Sequence, residues 1–424
     1  MKDIVKSVKG TRDFYPNDMS VRRWMIEKMR QASSLFGFEE YEGPCIETID
    51  LYAAKSGEEL VKEQSFVFPD RGGDLIALRP ELTPTLARMV AQKQNEVVLP
   101  LRWWSFGPFW RYERPQKGRS REFYQWNLDL IGSQGVLADA EVVAVAANFF
   151  RSVGLGSDRV QILVNNRRLM DESLNAIGIR AEKRPLAFRL IDKIDKLSPA
   201  SWDAYAFEIG LSDAQLQGLK AILADKSLWQ QSEELKAFFE AAESLGVRDY
   251  VSFDPQVIRG LDYYTGTVFE GRDTQKKFRA IFGGGHYDNL VADVGGEPLA
   301  GVGFAMGDVV IQLVLEAEQC IPENVTSAPA VLVTLFDQQQ LQNSLSIASA
   351  LRLAGIPTAA YLEPDKLGKQ FKYADKIGTR FVIVSGPDEV AQGKVTLKDL
   401  GQRDQQVQSL DDAIQRIKKF LAQA

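Results

Sequence analysis

Five cationic side chains, Arg111, Arg114, Lys117, Arg119 and Arg121, fall within eleven residues, between two aromatic-rich stretches, LRWWSFGPFWRY (101–112) and EFYQWNLDLIG (122–132). The chain as a whole is acidic, with a formal net charge of −6. Positive charge gathered at the tip of a candidate β-hairpin suits an anionic substrate. Alternation along the second stretch puts Phe123, Gln125, Asn127 and Asp129 on one face and Tyr124, Trp126, Leu128 and Leu130 on the other. The second face is core-like. The first is too polar for a core and too aromatic for a plain solvent face. A ring, an amide and a carboxylate beneath a basic loop suit a ligand with a flat ring and phosphates. A solvated hairpin with a charged tip fits the same strand, so both readings stand on this stretch alone.

Other segments bear on that choice. RPELTPT (79–85), IRGLDYYTGTVFE (258–270), FGGGHYDNLV (282–291) and GVGFAMGD (301–308) combine polar residues with glycine on strand-like patterns. Glycine within a strand permits close approach of a ligand or of another backbone. FGGGHYDNLV matches no phosphate-loop pattern.

The elements that must hold these residues follow from hydrophobic period and turn chemistry. Residues 21–38 have helical apolar spacing closed by Gly37. Residues 65–79 read as a hairpin turning at 70–73, and Thr83-Pro84 as an N-cap with proline opening the next helix. Residues 138–154 form a helix and 160–166 a strand, after which 176–250 is helical throughout. Strand character returns in LDYYTGTVFEGR, KFRAIFGGG and GVGFAMG. Strands, a helical insertion and further strands predict an α+β domain on a mainly antiparallel sheet. From about residue 328, β and α segments alternate, which predicts a compact α/β domain with a largely parallel sheet, joined through SAP (327–329). Arg259 and Tyr264 would fall on opposite faces of a continuous strand, so a shared pocket requires a bulge or a strand that starts after Arg259.

Composition narrows the class. Two cysteines (Cys45, Cys320) provide neither a disulfide framework nor a Cys-rich metal site, and one histidine, His286, removes zinc sites built on several histidines. The charged start MKDIVKSVKGTRDFYP lacks a signal peptide's apolar core, and no run of about 18 apolar residues suggests a membrane span. A cytoplasmic enzyme is the expectation. Residues 328–424 carry 12 Lys+Arg against 10 Asp+Glu, whereas the remainder carries 39 against 47. A nucleic-acid partner would therefore meet local basic surfaces rather than a basic protein.

Taken in order, KGTRDFYP (9–16), Pro44 of EGPCIET, RPELTP, the stretch from Phe109 to Gly132, RGLDYYTGTVFE and GGGHYDNLV resemble the histidyl-tRNA synthetase family of class II aminoacyl-tRNA synthetases, and residues 366–389 resemble its anticodon-binding domain. The resemblance covers nearly the whole chain. It implies a catalytic domain over 1–325 with the 176–250 insertion nested within it, and an anticodon-binding domain over 328–424. It implies ATP and Mg²⁺, L-histidine and tRNA(His) as reactants, and a homodimer formed through the Pro44 region. Catalysis would fall to Arg111 and Arg259. Arg111, Glu113, Arg119 and Phe123 would hold ATP, with Glu113 on the metal side. Glu81, Thr83, Gln125, Asp129, Arg259, Tyr263, Tyr264 and Tyr287 would hold histidine, and Gln116 and Lys117 would meet the tRNA acceptor end. Two departures stand out. Val310 occupies the place of the family's third-motif arginine, which holds the γ-phosphate, and leaves more of that duty to Arg119. His286 stands where arginine is more usual, and it reads as structural, because adenylation needs no imidazole base. The resemblance also admits a non-catalytic paralogue that senses histidine as the regulatory subunit of an ATP phosphoribosyltransferase.

Overall fold

The computed structural model describes residues 4–53, 64–116, 118–258 and 263–422. Two compact units separate: Met1–Asp13 with Trp24–Ile321, and Phe14–Arg23 with Pro322–Ala424.

In the first unit the chain runs through helix α1 (Pro16–Leu35, whose opening turns cluster with the second unit), β1 (Glu39–Glu40), β2 (Ile46–Thr48), α2 (Ile49–Ala53), β3 (Phe66–Pro69) and β4 (Leu75–Leu78). The turn joining β3 to β4 is closed by Asp70: its carbonyl accepts from the Gly73 amide at 3.2 Å and its carboxylate from the Asp74 amide at 3.0 Å. Next come α3 (Thr83–Lys93), β5 (Leu101–Trp110), β6 (Glu122–Ile131), α4 (Val136–Ser152) and β7 (Val160–Asn166).

Five helices follow, α5 (Arg167–Ala176), α6 (Arg184–Asp192), α7 (Pro199–Glu208), α8 (Asp213–Ala224) and α9 (Glu233–Ser244), before β8 (Val251–Phe253). Their starts are written locally. The Asn166 side chain accepts from the Arg168 and Leu169 amides, Ser232 accepts from the Leu235 amide, and Ser212 with Gln215 forms a reciprocal capping box. The unit closes with β9 (Thr267–Asp273), β10 (Phe282–Tyr287), β11 (Gly301–Gly307) and α10 (Asp308–Ala317).

Eight strands make one sheet in the order β1-β5-β6-β11-β10-β9-β7-β8. Its five inner pairings are antiparallel, and only the outermost pairs, β1 with β5 and β7 with β8, are parallel. One face is buried under α4. There Trp126, Leu128 and Leu130 of β6 join Val142, Val143, Phe149 and Phe150 of α4 with Phe282 and Phe304 in a single core cluster. Trp126 meets Phe304 edge-on with ring centroids 4.9 Å apart, and its indole N–H donates to Ser33 Oγ at 3.2 Å. The other face of β6 is thereby free for chemistry.

The second unit adds β12 (Val331–Val333), α11 (Leu341–Leu353), β13 (Thr358–Ala360), α12 (Leu367–Ile377), β14 (Phe381–Val384), α13 (Pro387–Ala391), β15 (Val395–Asp399), β16 (Asp404–Gln408) and α14 (Leu410–Leu421). Its sheet runs β13-β12-β14-β15-β16. The expectation of a largely parallel sheet needs correction. β13, β12 and β14 are parallel, but β14, β15 and β16 are antiparallel. The four residues between β15 and β16, which include Arg403 at φ 55°, allow only a hairpin return, because a parallel crossover needs a dozen residues or more.

Candidate active site

The polar face of β6 is real, and its far end is an enclosed acid. Asp129 is 5% exposed and accepts a 3.0 Å hydrogen bond from the Tyr287 hydroxyl of β10. In the ladder Asp129 lies opposite Gly303 of β11 and Trp103 of β5. A Cβ at Gly303 would overlap the Asp129 carboxylate, and one at Gly285 would come within 2.8 Å of the Tyr264 ring. Those strand glycines therefore make room for pocket side chains. Burial pushes the Asp129 carboxyl up to about 7, against the lowering effect of the Tyr287 bond. Burial, reinforced by the Asp129 charge, likewise holds the Tyr287 phenol well above its ordinary range.

Through Tyr263, the tyrosine that meets this acid is joined to Tyr264, Glu81 and Thr83. Tyr263 stacks edge-on against Tyr264 at 4.8 Å and faces Tyr287 at 6.3 Å. The Tyr263 phenol is also raised, first by burial, then by Tyr264 and Glu81, with the Thr83 hydroxyl bond opposing. Thr83 is not the helix cap expected of it. Leu82 occupies the N-cap without a side-chain bond, and Thr83 is the first helical residue. Its hydroxyl is therefore spared for the pocket. β9 begins only at Thr267, so Tyr263 and Tyr264 precede the strand. Arg259, and with it the question of which face it shares with Tyr264, lies outside the described residues.

At the other end of the β6 face, Phe123 stacks on Phe109 at 5.9 Å, and the Arg111 guanidinium stands 5.4 Å over the Phe123 ring. Arg111 is oriented by donating from Nε to the Pro80 carbonyl at 3.0 Å. Gln125, between Phe123 and Asp129, lies opposite Gly107 and Gly307 in the two ladders. Arg119 and Glu113 form an ion pair of 2.8 Å beneath the loop tip, where Gln116 and Arg119 close a tight turn. Lys117 lies outside the described residues. Arg121, which no expectation covered, is structural: it lies 4.2 Å over the Tyr112 ring, its stem packs on Gly10, and its amide donates to the Gly10 carbonyl at 2.8 Å.

Three residues escaped the sequence reading. Tyr41 lies near Asp129, its phenol raised by burial and by that carboxylate, and its hydroxyl is buried with no hydrogen-bond partner among the described residues. Arg79 is fully buried; it donates to Glu42 at 2.6 Å and to the carbonyls of Gly43 and Pro108 at 2.9 Å each. Asp308, at the start of α10, accepts from Arg12 at 2.8 Å and from the Tyr124 amide at 3.1 Å, which ties KGTRD to β6. Tyr41 and Arg79 gave no periodic signal, since each works alone. His286 is buried between two acids, with Nδ1 2.7 Å from Asp139 and Nε2 3.3 Å from Asp288.

Among the described residues no group of three His, Cys, Asp or Glu is placed to hold a metal, and no helix is long and apolar enough to cross a membrane.

Known proteins resemble this chain over nearly its whole length. A family model described as histidyl-tRNA synthetase matches residues 10–308, and an anticodon binding domain matches 330–420. A curated histidine–tRNA ligase of Leptospira biflexa is 36% identical, covering 99% of each chain. A chloroplastic/mitochondrial histidine–tRNA ligase of Arabidopsis thaliana is 37% identical over 96% of this chain and 86% of its own. The crystal structure of histidyl-tRNA synthetase from Nostoc sp. superposes with a TM-score of 0.87 at 25% identity, covering 99% of this chain and all of that one. A likeness of this extent, over both units and the full length, places the chain in the histidyl-tRNA synthetase family of aminoacyl-tRNA ligases.

Proposed function

We propose that this chain activates L-histidine with ATP and transfers the histidyl group to tRNA(His). The observation that carries the reading is the single face of β6. It holds an aromatic ring with a guanidinium above it at one end, and a buried carboxylate ringed by tyrosines at the other. Phe123 and Asp129 are separated by roughly 20 Å of strand, the span of a nucleotide laid end to end with an amino acid.

Adenine would stack on Phe123, with Arg111 over the α-phosphate. The histidine ammonium would meet Glu81 and Thr83, and Gln125 would orient the amino acid. The imidazole would donate to Asp129 among Tyr263, Tyr264 and Tyr287. The substrate carboxylate is already ionised, so its oxygen attacks the α-phosphorus without a general base, and pyrophosphate leaves. Negative charge grows on the α-phosphate oxygens in that step, and fixed cations aimed there stabilise it most. Arg111 fills that role, and Arg259 is proposed to share it. A terminal ribose hydroxyl of the tRNA then attacks the histidyl carbonyl, and AMP leaves. Mg²⁺ would arrive with ATP, held mainly by phosphate oxygens with Glu113 offering one carboxylate; it would neutralise phosphate charge. Gln116 and Lys117 would meet the acceptor end, and the C-terminal unit the anticodon.

A homodimer is part of the proposal. It is supported by apolar side chains left exposed on the β2-β4-β3 sheet, namely Ile46, Val67, Phe68 and Leu75. The site of action is proposed to be the cytoplasm, where ribosomes consume the product. The histidine-sensing paralogue is the weaker reading, because a sensor needs neither Arg111 over Phe123 nor an anticodon-binding domain. Charging of unfractionated tRNA with each of the twenty amino acids tests the proposal. It predicts charging by histidine alone; charging by another amino acid, or by none, would reject it.

A further inference from the structure

Beside the Arg119–Glu113 pair the basic loop turns at Gly118, whose φ is 81°. A Cβ at Gly118 would stand 3.8 Å from Arg279 Cδ and equally 3.8 Å from Val310 Cγ2. Arg279 comes from the connection between β9 and β10, and Val310 from the first turn of α10. Three segments distant in sequence thus converge on the loop tip, which brings both the stem of Arg279 and Val310, the residue in the place of the family's third-motif arginine, up to Gly118.

Arg279 is exposed, and among the described residues it has no ion pair or hydrogen bond. Partial burial and the neighbouring Arg119 hold its guanidinium below the usual arginine range, with Glu113 opposing. The one carboxylate acting there is committed to Arg119 at 2.8 Å. Two guanidiniums therefore share a single counter-charge, and the surplus positive charge sits in an otherwise acidic protein. Val310 is 8% exposed and offers no polar group. A doubly charged terminal phosphate between the two arginines would satisfy both, and arginine's planar fork matches phosphate oxygens.

We propose that Arg279 is a ligand of the terminal phosphate of ATP, acting with Arg119, and that it supplies from the β9–β10 connection the cation that α10 lacks at Val310. This deepens the functional reading above and rests on it. Arg279 holds the leaving pyrophosphate and takes no part in the proton or bond changes at the α-phosphorus.

Arg279→Gln and Arg279→Lys test it by two readouts. In histidine-dependent ATP–pyrophosphate exchange, Arg279→Gln should raise KM for ATP by roughly 10- to 100-fold, the loss expected of one charge-assisted contact, and leave KM for histidine within about twofold. Arg279→Lys, which keeps the charge but loses the fork, should recover only part of that loss. In calorimetry, Arg279→Gln should weaken ATP and leave AMP unchanged. An unaltered KM for ATP would overturn the proposal. So would equal weakening of ATP and AMP, which marks a general disturbance of the site. A defect confined to transfer onto tRNA would make Arg279 an acceptor-strand contact and overturn it too. Should the unsubstituted protein show no histidine-dependent exchange, the enzymatic reading fails, while the ATP-versus-AMP binding difference still decides the role of Arg279.

Discussion

Tyr287 donates its hydroxyl to Asp129 across the one intervening strand, β11, at 3.0 Å and away from water, and burial pushes the acid it meets up to about 7 from 3.8. A carboxyl whose folded value lies above its unfolded one keeps its proton in the fold while the unfolded chain has released it. Stability therefore falls as pH rises from about 3.8 to about 7 and levels off above that. The cost reaches on the order of 4 kcal/mol at neutral pH. Asp129→Asn should remove that slope and raise the melting temperature at pH 8, while lowering kcat/KM for histidine about 100-fold. Urea melts of both proteins between pH 5 and 8 check it. Parallel curves would contradict the assignment of the slope to Asp129.

His286, the neighbour of Tyr287 on β10, carries the opposite sign. Burial disfavours the His286 imidazolium, but Asp139 and Asp288 outweigh it and hold its value above the ordinary 6.5. Its contribution to stability is thus complete below about 6.5 and is lost as pH rises through the raised folded value. His286→Gln should lose stability mainly below that window, by about 1–2 kcal/mol, and keep exchange within a few-fold. Loss of exchange in a folded His286→Gln protein would make the imidazole part of the chemistry.

Arg111 stands over Phe123 and is aimed by one bond to Pro80. Arg111→Ala should lower kcat for exchange by about 10²–10³-fold, with melting temperature little changed, since the side chain is only half-buried. Arg111→Lys should recover little, because a point charge does not replace a planar fork. Full activity in either variant would move the α-phosphate contact to another cation.

Arg79 makes a contrasting case. Its side chain is fully buried while that of Glu42 is half-exposed, and two carbonyls depend on it. Arg79→Met should cost about 2–4 kcal/mol, through the orphaned carbonyls of Gly43 and Pro108 more than through the lost charge pair. By freeing the segment around Pro44 it should also weaken dimers in sedimentation velocity. A stability within 0.5 kcal/mol of the parent, roughly the scatter of surface substitutions, would contradict that account.

Much of this was legible in the residues, for identifiable reasons. A period of two divides β6 into Trp126–Leu128–Leu130 against the core and Phe123–Gln125–Asp129 toward the site, and a one-residue slip would have buried the acid face under α4. Asp70 and the glycines after it announce their turn. What stayed hidden depends on contacts between distant segments. Asp129 and Tyr287 are far apart in the chain, and nothing local in KFRAIFGGG ties Arg279 to Val310. β16 was missed because its DQQVQ is a mostly solvent-facing strand with no apolar alternation. The Thr83 cap was misplaced by one residue, since proline permits either start.

The central claim is that one face of β6 joins a nucleotide site to a histidine site. Exchange of labelled pyrophosphate into ATP, measured with each amino acid in turn and without tRNA, tests it most directly. The account predicts exchange with histidine that falls about 10²–10³-fold in Arg111→Ala and falls steeply, at subsaturating histidine, in Asp129→Asn. Exchange that does not require histidine, or none at all from a folded protein that binds it, would contradict the account.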